Sequence, residues 1–478
     1  MNLKIKHIIS LGAISVLPII AISSCSTGEP KPPTSSMEAK IATFNISFAT
    51  DNDDTENYQR WVDFMSIEKT TQDPLIDKYK QSKEAPKQGK ATINLSPEEI
   101  ALAERIIQIR NVAAIIQKNR PDTLVLNEFN NDGTGSDKTI ISNFQKNYLS
   151  HGQSLNSIDG GNVQDPIEYP FFETYATNTG LSSGMDLNND GKINNNPNDA
   201  FGFGYYHGHY AIALLSMHEI DKENTRTFQE FKWKDLPNSQ IPKVEEIVSS
   251  TPVGMKIGDN WFTDEEWNNI RLSSKNHLDV PIKIKKGDTV ETINLLISHP
   301  TPPVFEIGGT KVNFLRNKGE VDFWTHYINN EPTLYDDKGN KGGIDGTKNK
   351  FIILGDLNSD IFNSAKSKKK FNGINGLLNS NLLNSDVATG NSIAISNGGK
   401  LEANSKKHPK PESRTSTFGL RVDYSLPSNN LKVLNTGIYW QADGEEGRLL
   451  FNDPRIGKYG NGKEVSSDHR FVWTTIKI

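Results

Sequence analysis

The chain is 478 residues long, with 53 basic and 58 acidic side chains, a formal net charge of -5 and a single cysteine. One cysteine excludes a disulfide-built scaffold, and the lack of a basic excess excludes non-specific retention of nucleic acid by a global positive field. A polyanionic substrate would therefore need a local patch or a bound cation, and the length allows one large domain with insertions or two domains.

Lys4 and Lys6 precede an apolar stretch from Ile8 to Ile22, too short for a comfortable bilayer span and suited to a signal-sequence core. It ends in Ile22-Ser23-Ser24-Cys25, which resembles a bacterial lipobox, whose cysteine is lipidated and becomes the new N-terminus. Residues 1–25 thus read as a lipoprotein signal peptide with Cys25 as the anchor, against the alternative of an uncleaved membrane anchor. Residues 26–38, with Pro30, Pro32 and Pro33, read as a flexible tether, and 39–478 as a domain on the extracellular face of the cell membrane.

The domain opens with AKIATFNIS, a β-like run reaching Asn45, followed by a polar stretch with little pattern. Ser96, Pro97 and Glu99 then make a capping box with proline at the first helical position. The apolar residues from Ile100 to Ile116 keep helical spacing until Pro121 stops them. TLVLNEF is a buried strand delivering Glu128. Further strands are YAIALLS (210–216), TINLLISHP (292–300), FIILGDLN, RVDYSLPS (421–428) and the C-terminal RFVWTTIKI. Strand, helix, strand implies a sheet covered by helices. The stretches near 51–95, 217–290, 329–350 and 363–415 read as insertions on this scaffold, the last carrying the basic run KSKKK (366–370).

The apolar runs end on polar groups. FIILGDLN presents Asp356 and Asn358 two residues apart, which in an extended chain share a face; the alternative is an Asx-type turn after the strand. Asn45, Glu128, His299, and Asp468 with His469 likewise sit at or next to other strand-like runs. Carboxylates and amides of this kind suit Mg²⁺, and a histidine held by a carboxylate suits proton handling near neutral pH. Zinc is not indicated, because the chain has no available cysteine and no HExxH spacing.

TFNIS, LVLNEF, LLISHP, GDLN, RVDYSLPS and SSDHRFVW, in this order, resemble the endonuclease/exonuclease/phosphatase superfamily of deoxyribonuclease I-like metal-dependent phosphoesterases, here in the form of a mycoplasma-like surface lipoprotein. The resemblance implies an α/β fold, a four-layer α/β/β/α sandwich of two mixed β-sheets flanked by helices, with long loop insertions. It also implies Asn45, Glu128 and Asp468 at a Mg²⁺ or Mn²⁺ ion, and Asp356 and Asn358 at the attacking water and phosphate. His469, steered by Asp423, is implied as base or phosphate-binding imidazole, and His299 as a phosphate contact. Asn127 stands where many relatives carry glutamine, and His207 and His209 depart from the family pattern.

DLNNDGKINNNPND (186–199) places Asp186, Asn188 and Asp190 at alternate positions before Gly191, the first half of an EF-hand-type loop. Pro197 occupies the position of the closing acid, so Asp199 would have to replace it in a structural Ca²⁺ site; a plain Asn-Gly-rich turn is the alternative. The leading expectation is a surface-anchored, divalent-metal phosphoesterase, foremost a nuclease on extracellular DNA or RNA. A phytase- or alkaline-phosphatase-like phosphomonoesterase is the alternative, and an inactive surface-binding lipoprotein a third reading. Expected partners are a phosphate ester, nucleic acid first, and the membrane through Cys25, with no obligate protein partner.

Overall fold

The computed structural model describes residues 38–48, 57–89, 91, 93–194, 196–362, 373–402, 407–458 and 460–478. Cys25, residues 26–37 of the expected tether and the basic run 366–370 lie outside them, while Glu38, expected to close the tether, opens the first strand. Among the described residues twelve strands run in chain order: β1 (Glu38–Asn45), β2 (Thr123–Asn127), β3 (Phe171–Thr174), β4 (Ile212–Ser216), β5 (Glu219–Ile220), β6 (Arg226–Thr227), β7 (His277–Lys286), β8 (Thr289–Ser298), β9 (Phe351–Asp356), β10 (Asp423–Pro427), β11 (Val433–Tyr439) and β12 (Phe471–Lys477). They form two mixed sheets, β11-β12-β1-β2-β4-β3 and β10-β9-β8-β7-β5, with β6 also paired to β7.

Period-two alternation along these strands sorts the core into three layers. Ile41, Val125, Leu214, Leu295, Ile297, Ile352 and Leu354 point between the sheets. Their neighbours Ala42, Phe44, Leu124, Leu126, Ala213 and Leu215 pack under the helices of the first sheet. Leu296, Phe351 and Ile353 do the same on the second. With both faces covered, the central strands read as continuous apolar runs, which is why they were legible. The four-layer α/β/β/α architecture follows.

The helix Pro97–Asn119 starts as expected. Ser96 Oγ accepts from Glu99 N at 3.2 Å, Glu99 Oε2 accepts from Ser96 N at 2.8 Å, and the chain leaves through Arg120 in the left-handed region before Pro121. Three expected insertions are largely scaffold instead. The unpatterned stretch near 51–95 contains helices Tyr58–Ser66 and Lys69–Glu84, which bury Trp61, Met65, Ile76 and Tyr79 in the first helical layer. The stretch 217–290 contains β7, a full member of the second sheet, and contributes Phe228, Trp233 and Trp261 to the core. The stretch 363–415 contains helix Gly373–Leu378, whose Ile374 and Leu377 are buried beside helix Val312–Ile328. Among the described residues no helix is long and apolar enough to cross a membrane.

Strand directions bring the polar strand ends together. β1 and β2 run parallel, β8 and β9 run parallel, and β12, β4, β10 and β7 pair antiparallel to β1, β2, β9 and β8 respectively. The C-terminal ends of β1, β2, β8 and β9 therefore share one edge with the N-terminal ends of β4, β7, β10 and β12.

Candidate active site

Six of these strands deliver polar groups to this edge. Asn45 closes β1, Glu128 follows β2, His299 follows β8, Asp356 closes β9, Asp423 opens β10, and Asp468 and His469 lie in the turn before β12. Glu128 and Asn358 have φ of 58° and 49°, unfavourable for side chains with a Cβ and found where surrounding structure overrides local preference, often at functional sites.

Asp356 is the hub. Its Oδ2 accepts from Asn45 Nδ2 at 3.1 Å and Asn358 Nδ2 at 3.3 Å, and lies 3.5 Å from His299 Nε2 and 3.7 Å from His469 Nε2. Asn358 does not share an extended face with Asp356. Its left-handed backbone turns the chain, and its N–H donates to Asp356 Oδ1 at 2.9 Å. An Asx turn is thus what aims the amide at the carboxylate. Asn358 Nδ2 also donates to Pro300 O at 3.1 Å, tying the β9 and β8 ends together. Asn127 joins the two sheets: its Oδ1 accepts from Thr43 Oγ1 and from Asp356 N, both at 3.2 Å.

Asn45 Nδ2 also donates to Glu128 Oε1 at 3.0 Å, so one amide orients both carboxylates. Ser47 Oγ donates to Asp468 Oδ1 at 2.6 Å. The turn before β12 is built by serine: Ser467 Oγ accepts from His469 N at 2.9 Å and donates to Asn45 O at 2.6 Å. Arg470, stacked over Trp440 at 4.4 Å, donates to the carbonyls of Ser467 and His469 at 2.7 and 2.8 Å. His469 Nδ1 donates to Asp423 Oδ2 at 3.0 Å, which turns Nε2 toward Asp356.

These contacts divide the charges. Burial would lower the His469 pKa, but Asp423 and then Asp356 hold it well above the usual histidine value, so the ring is an imidazolium at neutral pH. Burial would raise Asp356, yet His469 and His299 keep it below the usual carboxylate range. Burial lifts Asp423 to about 6 against the pull of His469. Burial and then Lys275 push His299 down to about 4, leaving it neutral. Glu128 is different: burial and then repulsion from Asp468 lift it to about 7, with only partial relief from His469 and Asn45.

That difference decides where a divalent cation fits. Asp356, Asp423 and His469 are the cluster whose ligand atoms lie within 4.8 Å of one another among the described residues, but their charges already compensate internally. Glu128 and Asp468 are the pair whose mutual repulsion a cation would relieve, with the Asn45 amide beside them. Hard oxygen donors of this kind suit Mg²⁺ or Mn²⁺.

Sequence reasoning missed Lys275, two residues before β7, which is 6% exposed and feels Glu320, Glu128 and Asp356. It also missed Ser47 and Arg470, which hold the Asp468–His469 turn. His209 is fully buried, stacked 3.7 Å from Tyr210, and burial followed by Lys275 pushes it down to about 3, so it does not face solvent. His207 Nε2 bonds the Thr177 carbonyl at 3.0 Å.

The loop Asp186–Asp199 stands apart from these contacts. Asp186 accepts from the N–H groups of Asp190 and Gly191 at 3.0 and 2.8 Å, and Asn188 from Asp190 at 2.9 Å. Asp199, carried back by the short turn Pro197–Asp199, accepts from Leu187 N at 3.1 Å and Asn194 N at 3.4 Å. These acceptors satisfy the loop's own backbone.

The model of the endonuclease/exonuclease/phosphatase family matches residues 100–469. No curated protein matches the chain. Similar solved structures include an endonuclease/exonuclease/phosphatase from Beutenbergia cavernae, with a TM-score of 0.40 at 12% identity, covering 92% of this chain and 72% of that one. A family protein from Leptotrichia buccalis has a TM-score of 0.38 at 13% identity, covering 92% and 100%. A mannosyl-6-phosphatase from Bacteroides thetaiotaomicron has a TM-score of 0.36 at 11% identity, covering 92% and 100%.

Proposed function

The chain belongs to the endonuclease/exonuclease/phosphatase family, and on that premise we propose that it is a surface-anchored, divalent-metal-dependent nuclease acting on extracellular DNA or RNA. Family members hydrolyse phosphate esters with the help of a divalent metal. The observation that carries the reading is the division of charge at the sheet edge, an imidazolium and an ionised Asp356 beside an uncompensated Glu128–Asp468 pair.

A divalent ion held by Glu128, Asp468 and the Asn45 amide would neutralise charge developing on the phosphoryl oxygens. The protein's own groups do the rest. His469, kept charged by Asp423, offers its Nε2 proton to a phosphoryl oxygen. Neutral His299 sits beside Asp356, and Asp356, fixed by Asn45 and Asn358, is the ionised acceptor that can orient a water for in-line attack. The sequence left base and phosphate-binding roles open for His469; its charged resting state supports the second.

Phe418 supports a nucleic-acid substrate. It is 53% exposed and meets His469 edge-on at 5.4 Å. Its loop is pinned to the catalytic turn, Thr417 N donating to Asp468 O at 2.8 Å. An exposed ring at this place offers a base-stacking platform next to the scissile phosphate.

Incubating the purified protein with plasmid DNA, RNA, phytate and a chromogenic phosphate ester, with Mg²⁺ or with EDTA, tests the reading. Cleavage of a nucleic acid only with Mg²⁺ is the expected result. Phosphate release from phytate or the chromogenic ester with both nucleic acids left intact would replace it with a phosphomonoesterase.

A further inference from the structure

The segment Ser273–His277 leads into β7, whose first residue pairs with Ser298, the neighbour of His299. Four of its five side chains are committed to protein partners. Ser273 Oγ bonds His277 Nδ1 at 3.0 Å, and His277 Nε2 donates to the Glu320 carbonyl at 2.7 Å. Ser274 Oγ donates to Glu320 Oε1 at 2.9 Å, and Asn276 bonds Ala176 O and Phe228 N. Glu320 is itself fully engaged, its other oxygen accepting from Thr301 N at 2.6 Å.

Lys275 is the exception. It is 6% exposed, and among the described residues its ammonium group makes no hydrogen bond or ion pair. Its charge nevertheless bears on Glu320, then on Glu128 and Asp356, and on His299 and His209. Burial lowers its pKa, opposed by Glu320 and then Glu128 and Asp356, and a buried amine without a direct partner is costly and is retained where something else pairs with it. The committed neighbours leave its rotamer to be fixed by the segment.

We propose that Lys275 is a phosphate-contacting residue, its ammonium group donating to a nonbridging oxygen of the substrate phosphoryl group at the β7 side of the sheet edge. The role rests on the phosphoesterase reading and adds to it a protein donor that complements the metal and that a bound phosphate would hold in its charged form. It also accounts for an edge able to accept a phosphate despite four carboxylates.

The test uses the full protein and inorganic phosphate as the probe, so that binding is read without turnover. In calorimetric titration with Mg²⁺ present, Lys275→Met should weaken phosphate binding about 10- to 100-fold, the value of a charge-assisted hydrogen bond. Its Mg²⁺ affinity should stay equal or rise, since a positive neighbour of Glu128 is gone; a purely structural lysine would instead lower metal affinity and thermal stability together. In the wild-type protein, phosphate should slow carbamylation of Lys275 by cyanate, read by peptide mass spectrometry against exposed Lys285, and this arm stands even where the variant does not fold. Wild-type phosphate affinity in Lys275→Met, or carbamylation of Lys275 indifferent to phosphate, overturns the proposal. A wild-type protein that binds phosphate through Lys275 and hydrolyses no ester supports this contact while overturning the enzymatic reading.

Discussion

Glu128 links the geometry of single residues to a measurable pH dependence. Its pKa is raised to about 7 by burial and Asp468, above the ordinary glutamate value. The metal-free fold is therefore penalised as pH rises from about 4.3 towards 7, because the unfolded chain ionises this group more easily. A divalent ion must displace the same proton, so its apparent affinity should fall about tenfold per unit below pH 7. The thermal stabilisation given by Mg²⁺ should accordingly be small near about pH 5.5 and complete by about pH 8. A stabilisation independent of pH across this range would place the ion elsewhere. Asp423→Asn should leave the His469 ring in position but remove the charge that keeps it protonated, costing roughly 10-fold to 100-fold in kcat, less than loss of the ring. An unchanged kcat would remove Asp423 from the proton network. Asn45, Glu128, His299 and Asp356 were legible because each ends or follows an apolar run, and His469 because it stands directly before one. Lys275 was not, because SSKNH has no such run before it, and only the pairing of β7 with β8 brings it to the edge.

Among the elements, those with local signals were readable and those dependent on tertiary contacts were not. The helix Pro97–Asn119 carries its start and stop in sequence, and Ser96→Ala should cost about 1 kcal/mol in chemical denaturation; a neutral result would mean that packing alone holds its first turn. In β7, Leu278, Val280, Ile282 and Ile284 alternate into the core, but Pro281 in the middle of the run reads against a central strand. The helix Lys69–Glu84 is polar on most faces and has Pro74 inside it, so its few buried anchors gave no sustained period, and Tyr58–Ser66 is only nine residues long. β9 shows the opposite, a strand whose sequence encodes a close approach. Gly355 has φ 139°, and a Cβ there would lie 1.9 Å from the Ser298 carbonyl oxygen in β8. Gly355→Ala should force β8 and β9 apart directly beneath Asp356 and His299, lowering stability by about 2–4 kcal/mol. Near-wild-type thermal stability in that variant would contradict this packing.

At the scale of the whole molecule, two sheets whose parallel pairs β1–β2 and β8–β9 end on one edge gather six sequence words separated by up to hundreds of residues. Their order along the chain was readable, whereas the helical cover came partly from segments that looked like insertions. Anchoring remains a proposal that belongs to this scale. Cys25→Ser should leave an unprocessed, unacylated precursor by mass spectrometry, and an unmodified Cys25 within an intact N-terminus of the wild-type protein would refute it. The edge itself is tested most directly by hydrolysis of a chromogenic phosphodiester by the wild-type protein and His469→Ala, each with Mg²⁺ and with EDTA. Wild-type turnover should require Mg²⁺, and His469→Ala should lose about 10² to 10⁴ in rate at an unchanged melting temperature. Turnover that survives EDTA, or wild-type rates in the folded His469→Ala protein, would contradict a metal-dependent phosphoesterase centre at this edge.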